Sequence, residues 1–425
     1  MKIAITGVTG LRNRGVEALI QPTVDQLLTR YPNAKITISS WSPEYDRKRI
    51  NSPQVSFVED AYLKCGFWTP PQPLPSDGRK TFALKVKRRL LGTFGKTTEY
   101  QDSSKDYHLS MPFEKPDLVI ISGGDLISSD YGTQSLKHFL DPVRWAKYHR
   151  IPCVLIGQSI GKFKCAEDLA LWRTASREAD LITLREPLSL NYIRDELDDQ
   201  SSRIVETADC AFLLDANADI ACCNSPKTDR FTVAVSMSNS ISTYTSSSPS
   251  AHLETWVAVI RMMLEEWDVN VAIIPHVQET YSDDRIPATC VCRQLNFDSR
   301  VRVYAEDLTA SEYKGIISSC DMVIAERMHA AIAGFSLGIC TVPIGYSIKA
   351  RGITASMLYS TGLDPDELAI PLDKFLDLSL SKKKLTYIWN NRSSFRQSIG
   401  KGLDRAKANA VRNFDLIDDL ISSRS

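Results

Sequence analysis

The 425-residue chain lacks net charge: Lys plus Arg and Asp plus Glu each number 51. That balance provides no overall field for gathering nucleic acid or an anionic surface, so any anion must be captured by local groups. Also missing is any apolar run near the roughly 20 residues that a bilayer-spanning helix needs. The opening MKIAITG turns polar too soon for the apolar region of a signal peptide and reads instead as a first β-strand. The ten cysteines include no Cys-x-x-Cys spacing, their tight pairs being Cys222–Cys223 and Cys290/Cys292. This argues against a structural zinc framework and for a reduced, cytoplasmic protein without a metal site. GxGxxG, the G-x-x-x-x-G-K-[ST] loop and repeats of short fixed period are absent too.

What is present is enough apolar sequence, 43% of residues, to fill two cores, and the length exceeds that at which one core usually stops growing. Short, almost wholly apolar runs alternate with helical patterns, as in parallel sheets covered on both faces. The first half offers strands at 2–7, 34–40, 117–124, 152–161 and 181–186, with helices over 15–31 and 166–179. The second half offers strands at 231–238, 269–276, 301–306, 321–326 and 338–346, with a helix over 252–267. The fold expected is α/β: two doubly wound Rossmann-like domains facing across a cleft, the arrangement termed GT-B-like. The expected boundaries are 1–220 for an acceptor-side domain, 228–385 for a donor-side domain, and 386–425 for a helical segment packing back on the first.

Two stretches break the rhythm. Residues 69–115 carry PPQPLP (70–75) and the basic LKVKRRLL (84–91), and read as an insertion between strands. Such composition is more often a solvated loop with one amphipathic helix. The other reading is that Lys85, Lys87, Arg88 and Arg89 touch an anionic membrane or a lipid-linked substrate. The Ser/Thr-rich 236–250 is read as a surface loop, with hydroxyl donation to a ligand as the alternative.

The chemistry-bearing residues fall at carboxyl ends of strands, where open α/β sheets bind ligands. In AERMHAAIAG (325–334) a strand runs into a helix rich in small residues, so Arg327 and His329 stand at a helix N-terminus suited to an anion. Arg327 presents a planar, permanently charged fork, and a bound anion would keep His329 protonated. The plainer alternative is an Arg327–Glu326 salt bridge beside a capping His329; otherwise Glu326 is expected to orient one of these neighbours. Gly123 and Gly124 are expected to admit a ligand close to the backbone, with Asp125 accepting a hydroxyl hydrogen bond. Arg185, His276 and Lys349 end further strands, and with Arg327 they equip a cleft for a phosphorylated small molecule.

In order along the chain, LRNRGVEALI (11–20), DLVIISGGD (117–125), IPCVLIGQSIGKF (151–163), LITLREPLS (181–189), ADCAFLL (208–214), IPH (274–276) and ERMHAAIAGFSLGICTVPIGYSIK (326–349) resemble the polysaccharide pyruvyl transferase family. The resemblance implies transfer of a pyruvyl group from phosphoenolpyruvate, as co-substrate, to two hydroxyls of a sugar in a polysaccharide or lipid-linked glycan. A cyclic ketal forms and phosphate leaves, with no metal or redox cofactor and no nucleic acid partner. It implies His329 as general acid and Arg327 as the donor's anion partner. Asp125 is carried with His329 as catalytic, and Arg185, Lys349, His276, Gly123, Gly124 and Asn13 as substrate-binding.

Two other classes remain: a nucleotide-sugar glycosyltransferase on the same fold, and a non-catalytic glycan-binding protein. Thermal-shift titration separates the first two readings. Phosphoenolpyruvate should raise Tm in proportion to the logarithm of its concentration, and uridine or guanosine diphosphate should not.

Overall fold

The computed structural model describes residues 1–60, 111, 113–217, 219, 229–239, 248–280, 282–345 and 348–424. The proline cluster 70–75, the basic run 84–91, most of the 217–230 linker, residues 240–247 of the Ser/Thr-rich stretch and Tyr346 lie outside them.

Two parallel sheets form the frame. The first holds β1 (Lys2–Val8), β2 (Lys35–Ser40), β3 (Val55–Glu59), β4 (Leu118–Ile121), β5 (Gly124–Ile127), β6 (Cys153–Ile160), β7 (Leu181–Leu184) and β8 (Ile204–Glu206). Its order is β3-β2-β1-β4-β6-β7-β8, with β5 continuing the line of β4 alongside β6. The second runs β13-β10-β9-β14-β15-β16, from β9 (Thr232–Ser236), β10 (Asn270–Ile273), β13 (Val301–Val303), β14 (Met322–Ala325), β15 (Cys340–Gly345) and β16 (Ile370–Pro371). A two-residue hairpin, β11 (Gln278–Glu279) with β12 (Ser282–Asp283), stands apart from both. Each large sheet reverses its winding direction beside its first strand, between β1 and β4 and between β9 and β14. At such points the two loops that leave the strand ends diverge and open a crevice.

The Val/Ile-rich strands β4, β6, β7, β10 and β14 are buried along their whole length, as strands covered on both faces must be. Their ends are set by local chemistry. Asn13 caps α1 (Arg14–Arg30), its side chain accepting from Gly15 N–H. Ser248 and Pro249 open α4 (Pro249–Met262), which follows α2 (Thr133–Tyr148) and α3 (Ala166–Glu178) in the first half. After α5 (Arg285–Gln294), a Thr309/Glu312 capping box starts α6 (Ala310–Ser318). α7 (Met328–Ser336) presses so closely on its sheet that a Cβ on Gly334 would overlap Thr341 and Val323. The expected helix over 252–267 starts earlier, at Pro249, and its last turn widens to a π turn over Met263–Trp267. The edge strands β3, β8 and β16, unforeseen from the sequence, are five residues or fewer, too short for a clear period.

Three helices close the chain: α8 (Ile348–Leu358), α9 (Leu378–Asn390) and the 31-residue α10 (Arg392–Ser422). α10 touches both sheets. Near its start Gly402 lies directly on the Met357 carbonyl of α8, leaving no room for a side chain. Near its end Asn413 accepts from the hydroxyls of Thr183 and Thr207 at 2.5 and 2.8 Å and donates to the Ala208 carbonyl at 2.8 Å. Arg30 pairs with Asp415 and Asp418 beyond it.

Among the described residues no helix is long and apolar enough to cross a membrane. Gly402→Ala should force α8 and α10 apart and cost about 1–3 kcal/mol, the usual range for overpacking, read as a lower midpoint in urea unfolding.

Candidate active site

The two switch points face each other. The turn after β1 and the chain after β10 run antiparallel, Asn13 bridging Val277. Arg14 N–H donates to the His276 carbonyl at 2.8 Å, and Gln278 N–H to that of Arg12 at 3.1 Å. Behind this seam lies a polar cluster. The fully buried Arg14 donates to Tyr45 Oη at 3.0 Å and pairs with Glu17 and Asp307. Tyr45 Oη donates to Asp307 at 2.6 Å, and Glu17 accepts from Ala310 N–H, the first amide of α6, at 3.2 Å. The cluster therefore ties α1 of one domain to α6 of the other.

His329 sits where the N-termini of α1 and α7 meet. Its Nδ1 lies against Gly15, where a Cβ would overlap the ring. Its Nε2 is buried without a hydrogen-bond partner and stands 3.7 Å from Asp209 Oδ2, an ion-pair separation too long for a hydrogen bond. Asp209 accepts from Arg185 Nη1 at 2.7 Å, while Arg185 Nε donates to Ser159 Oγ at 2.7 Å. Burial alone would raise the Asp209 carboxyl, but His329 and Arg185 outweigh it and hold the group well below the usual carboxylate range. Asp209 also caps the following turn through Ala211 N–H, and the preceding carbonyl is the one held by Asn413.

Several expectations need correcting here. Arg185, expected to reach a ligand, is 2% exposed and committed to Asp209, because a buried guanidinium must be paired. Glu326 pairs with neither Arg327 nor His329. It turns inward and accepts from His252 Nε2 at 2.6 Å, Trp256 Nε1 at 2.9 Å and Ser238 N–H at 2.7 Å, fastening α4 beneath the site. Gly123 serves close packing rather than ligand access, since a Cβ there would strike the carbonyls of Ile156 and Gly157. Gly124, at φ +126°, starts β5 instead of ending the expected strand 117–124.

The remaining cations of the crevice are also engaged. Arg327 binds Asp284 through Nε at 2.9 Å and Nη2 at 2.6 Å, and donates to Ser282 Oγ at 3.2 Å. Asp284 is buried and further held by Val277 and Asn239 N–H, each at 2.9 Å. Lys349 pairs across the crevice with Asp125, which also accepts from Tyr131 Oη at 3.0 Å. Burial raises the Asp125 carboxyl, but Lys349 and Arg185 outweigh this and hold it far below its ordinary value. Of Arg14, Arg185, Lys349 and Arg327, the last is most open, 20% of its side chain reaching solvent. His276 is buried, with Nδ1 lacking a partner. Burial first, then the charges of His329, Arg327 and Arg14, drive its pKa well below the ordinary imidazole value, so its ring is neutral.

The structure thus brings together Asn13, His276, Arg327 and His329 at the seam, joins Asp125 to Lys349, and adds Asp209 and Asp284, which sequence reasoning did not assign. The model of the polysaccharide pyruvyl transferase family matches residues 13–348. The chain belongs to that family. Every residue of the His329–Asp209–Arg185 chain falls inside the matched span, as do Arg327, Asp125 and His276.

The fold of this family member is similar to that of several solved enzymes at low identity. The UDP-GlcNAc 2-epimerase of Methanocaldococcus jannaschii, solved with UDP-GlcNAc and UDP, superposes with a TM-score of 0.57 at 11% identity, over 98% of this chain and 99% of that one. The Neisseria meningitidis UDP-GlcNAc 2-epimerase bound to UDP-GlcNAc gives 0.57 at 12%, over 97% and 99%. Sucrose-phosphate synthase of Thermosynechococcus elongatus gives 0.55 at 12%, over all of both chains. These likenesses establish the GT-B architecture.

Asp209→Ala leaves Arg185 charged and buried without its partner and should cost about 3–5 kcal/mol. Combining it with Arg185→Met should cost less than the two single losses added together, in a double-mutant cycle of urea midpoints.

Proposed function

We propose that this chain transfers the pyruvyl group of phosphoenolpyruvate to two hydroxyls of a sugar in a polysaccharide or lipid-linked glycan, forming a cyclic ketal and releasing phosphate. The observation that carries the reading is the arrangement of His329. Its Nε2 has no hydrogen bond and faces a buried carboxylate, beside Arg327 at the N-terminus of α7. Such a group can donate a proton, with Asp209 balancing the charge of the imidazolium.

In this reading the donor lies against the second domain, about residues 228–385, and the acceptor against the first, about 1–220. His329 gives its proton to the methylene carbon of the enol phosphate, leaving an oxocarbenium-like centre at the adjacent carbon. One sugar hydroxyl attacks that centre, the carbon–phosphate oxygen bond breaks, and the second hydroxyl closes the ring. Of the two hydroxyl protons, one restores His329 and the other leaves with phosphate. Arg327 is the donor's anion partner, its fork held in plane by Asp284 so that a bound phosphate or carboxylate meets a preset orientation. Arg185 is assigned instead to holding Asp209. Lys349 and Asp125 join the walls of the crevice, with the donor's second charge shared by Lys349. The scheme calls on no metal or redox cofactor. The seven described cysteines are free thiols, and the proposal includes a cytoplasmic setting.

His329→Ala should abolish phosphate release from phosphoenolpyruvate in the presence of acceptor while the circular dichroism spectrum and Tm stay near those of the parent. For Arg327→Ala the expectation is a rise in KM for phosphoenolpyruvate of about 10- to 100-fold, the 1.5–3 kcal/mol of a charged hydrogen bond. The two backbone amides left on Asp284 should limit the loss of stability.

A further inference from the structure

The carboxylates described so far are each held by a cation, a hydroxyl or a backbone amide. Glu279 is not: among the described residues no hydrogen bond or ion pair reaches its side chain. It lies on β11, two residues past the Asn13–Val277 bridge, and it is only part-buried. Gln278 before it is fastened, its side chain donating to the Glu306 carbonyl and to Tyr313 Oη at 3.0 Å each, and Glu279 itself pairs with Ser282 in the hairpin. The backbone is thus fixed while the carboxyl remains unclaimed. Oε1 points at the turn after β1, where Gly10 takes φ +110°; a Cβ on Gly10 would come within 3.9 Å of it.

We infer that Glu279 is the general base of the transfer, taking the proton of the sugar hydroxyl that attacks the oxocarbenium-like centre. The inference rests on the pyruvyl-transfer reading and supplies what that reading leaves open. An alcohol that adds to such a centre becomes an oxonium, so the new carbon–oxygen bond is kept only when the O–H bond gives up its proton. His329, once it has given its proton to the methylene carbon, can take back only one of the two hydroxyl protons, so the other needs its own acceptor. A carboxylate on the β11–β12 hairpin separates the two tasks. The proton passes from the hydroxyl to Glu279 and leaves with the phosphate, while the second hydroxyl restores His329.

The charges around Glu279 suit this role. Burial raises its carboxyl to about 7, against the pull of Arg327 from the β14–α7 turn and Arg12 from the β1–α1 turn; Asp46 and Asp284, on the elements flanking it, push the same way as burial. The group therefore exchanges a proton near neutral pH, and its basic form fills as pH rises through about 7.

The test uses the full chain and Glu279→Gln, which keeps the shape and removes the ionisation. With phosphoenolpyruvate and a panel of methyl hexopyranosides as acceptors, phosphate release by the variant should fall at least about 100-fold in kcat, with KM for phosphoenolpyruvate within about twofold of the parent. The rise of parental kcat/KM through about pH 7 should vanish. A readout independent of turnover is the melting temperature. A carboxyl whose folded pKa lies above its unfolded value of about 4.3 costs the fold progressively as pH rises from there through the folded pKa. The variant's gain in Tm over the parent should therefore be larger at pH 8 than at pH 5. Parental kcat and pH profile in the variant would overturn the base assignment alone, as would a Tm difference that does not change with pH. Absence of phosphate release by the unsubstituted protein would overturn the transfer reading and the base with it.

Discussion

The buried pair of Arg185 and Asp209 is the constraint on which the site rests. A guanidinium 2% exposed and a carboxylate with no exposure at all can be tolerated only together, because each desolvated charge alone costs several kcal/mol. The same Asp209 Oδ2 that accepts from Arg185 also faces the other domain, where His329 stands 3.7 Å from it. The imidazole is thereby placed by two elements with no covalent connection nearby: the turn after β8 and the start of α7. Asn413, from the far end of the last helix, fastens the residue before Asp209, so even the C-terminal helix takes part in setting His329.

The same logic recurs around the crevice. Arg327 is held by Asp284, Lys349 by Asp125, and Arg14 by Glu17 and Asp307. Each cation arrives preoriented, and the ligand must share it rather than find it idle. Two of these pairs, with the seam at Asn13 and Val277, join the domains across the site. The protein thus joins its two halves through the residues that surround the candidate site.

The architecture was legible because it depends on runs of apolar residues. Short, β-branched apolar stretches such as LVII and MVIA, alternating with helical patterns, read as strands covered on both faces, and the charged residues that follow them fall at one edge of the sheet. Arg327, His329 and His276 were found that way, and Asn13 through the family resemblance. Their partners were not, because a carboxylate's partner is a matter of long-range folding. Arg185 and Asp209 are 24 positions apart, Arg327 and Asp284 are 43 apart, and Lys349 and Asp125 are 224 apart. Nothing local marks Asp209 in ADCAFLL or Asp284 in YSDDRIP as the anion that claims a particular arginine. Glu326 misled for the same reason: adjacency to Arg327 in sequence puts its side chain on the opposite side of the strand end, toward Trp256 and His252. Glu279, in a two-residue strand with no period to read, was invisible until the hairpin placed it beside Gly10.

The central claim is that a protein acid, in exchange with solvent, protonates the methylene carbon of the enol phosphate. Running the reaction in deuterium oxide with unlabelled phosphoenolpyruvate and reading the methyl group of the ketal by NMR tests it directly. The account predicts a methyl group carrying one deuterium. A methyl group with none, or phosphate release without a ketal, would contradict it.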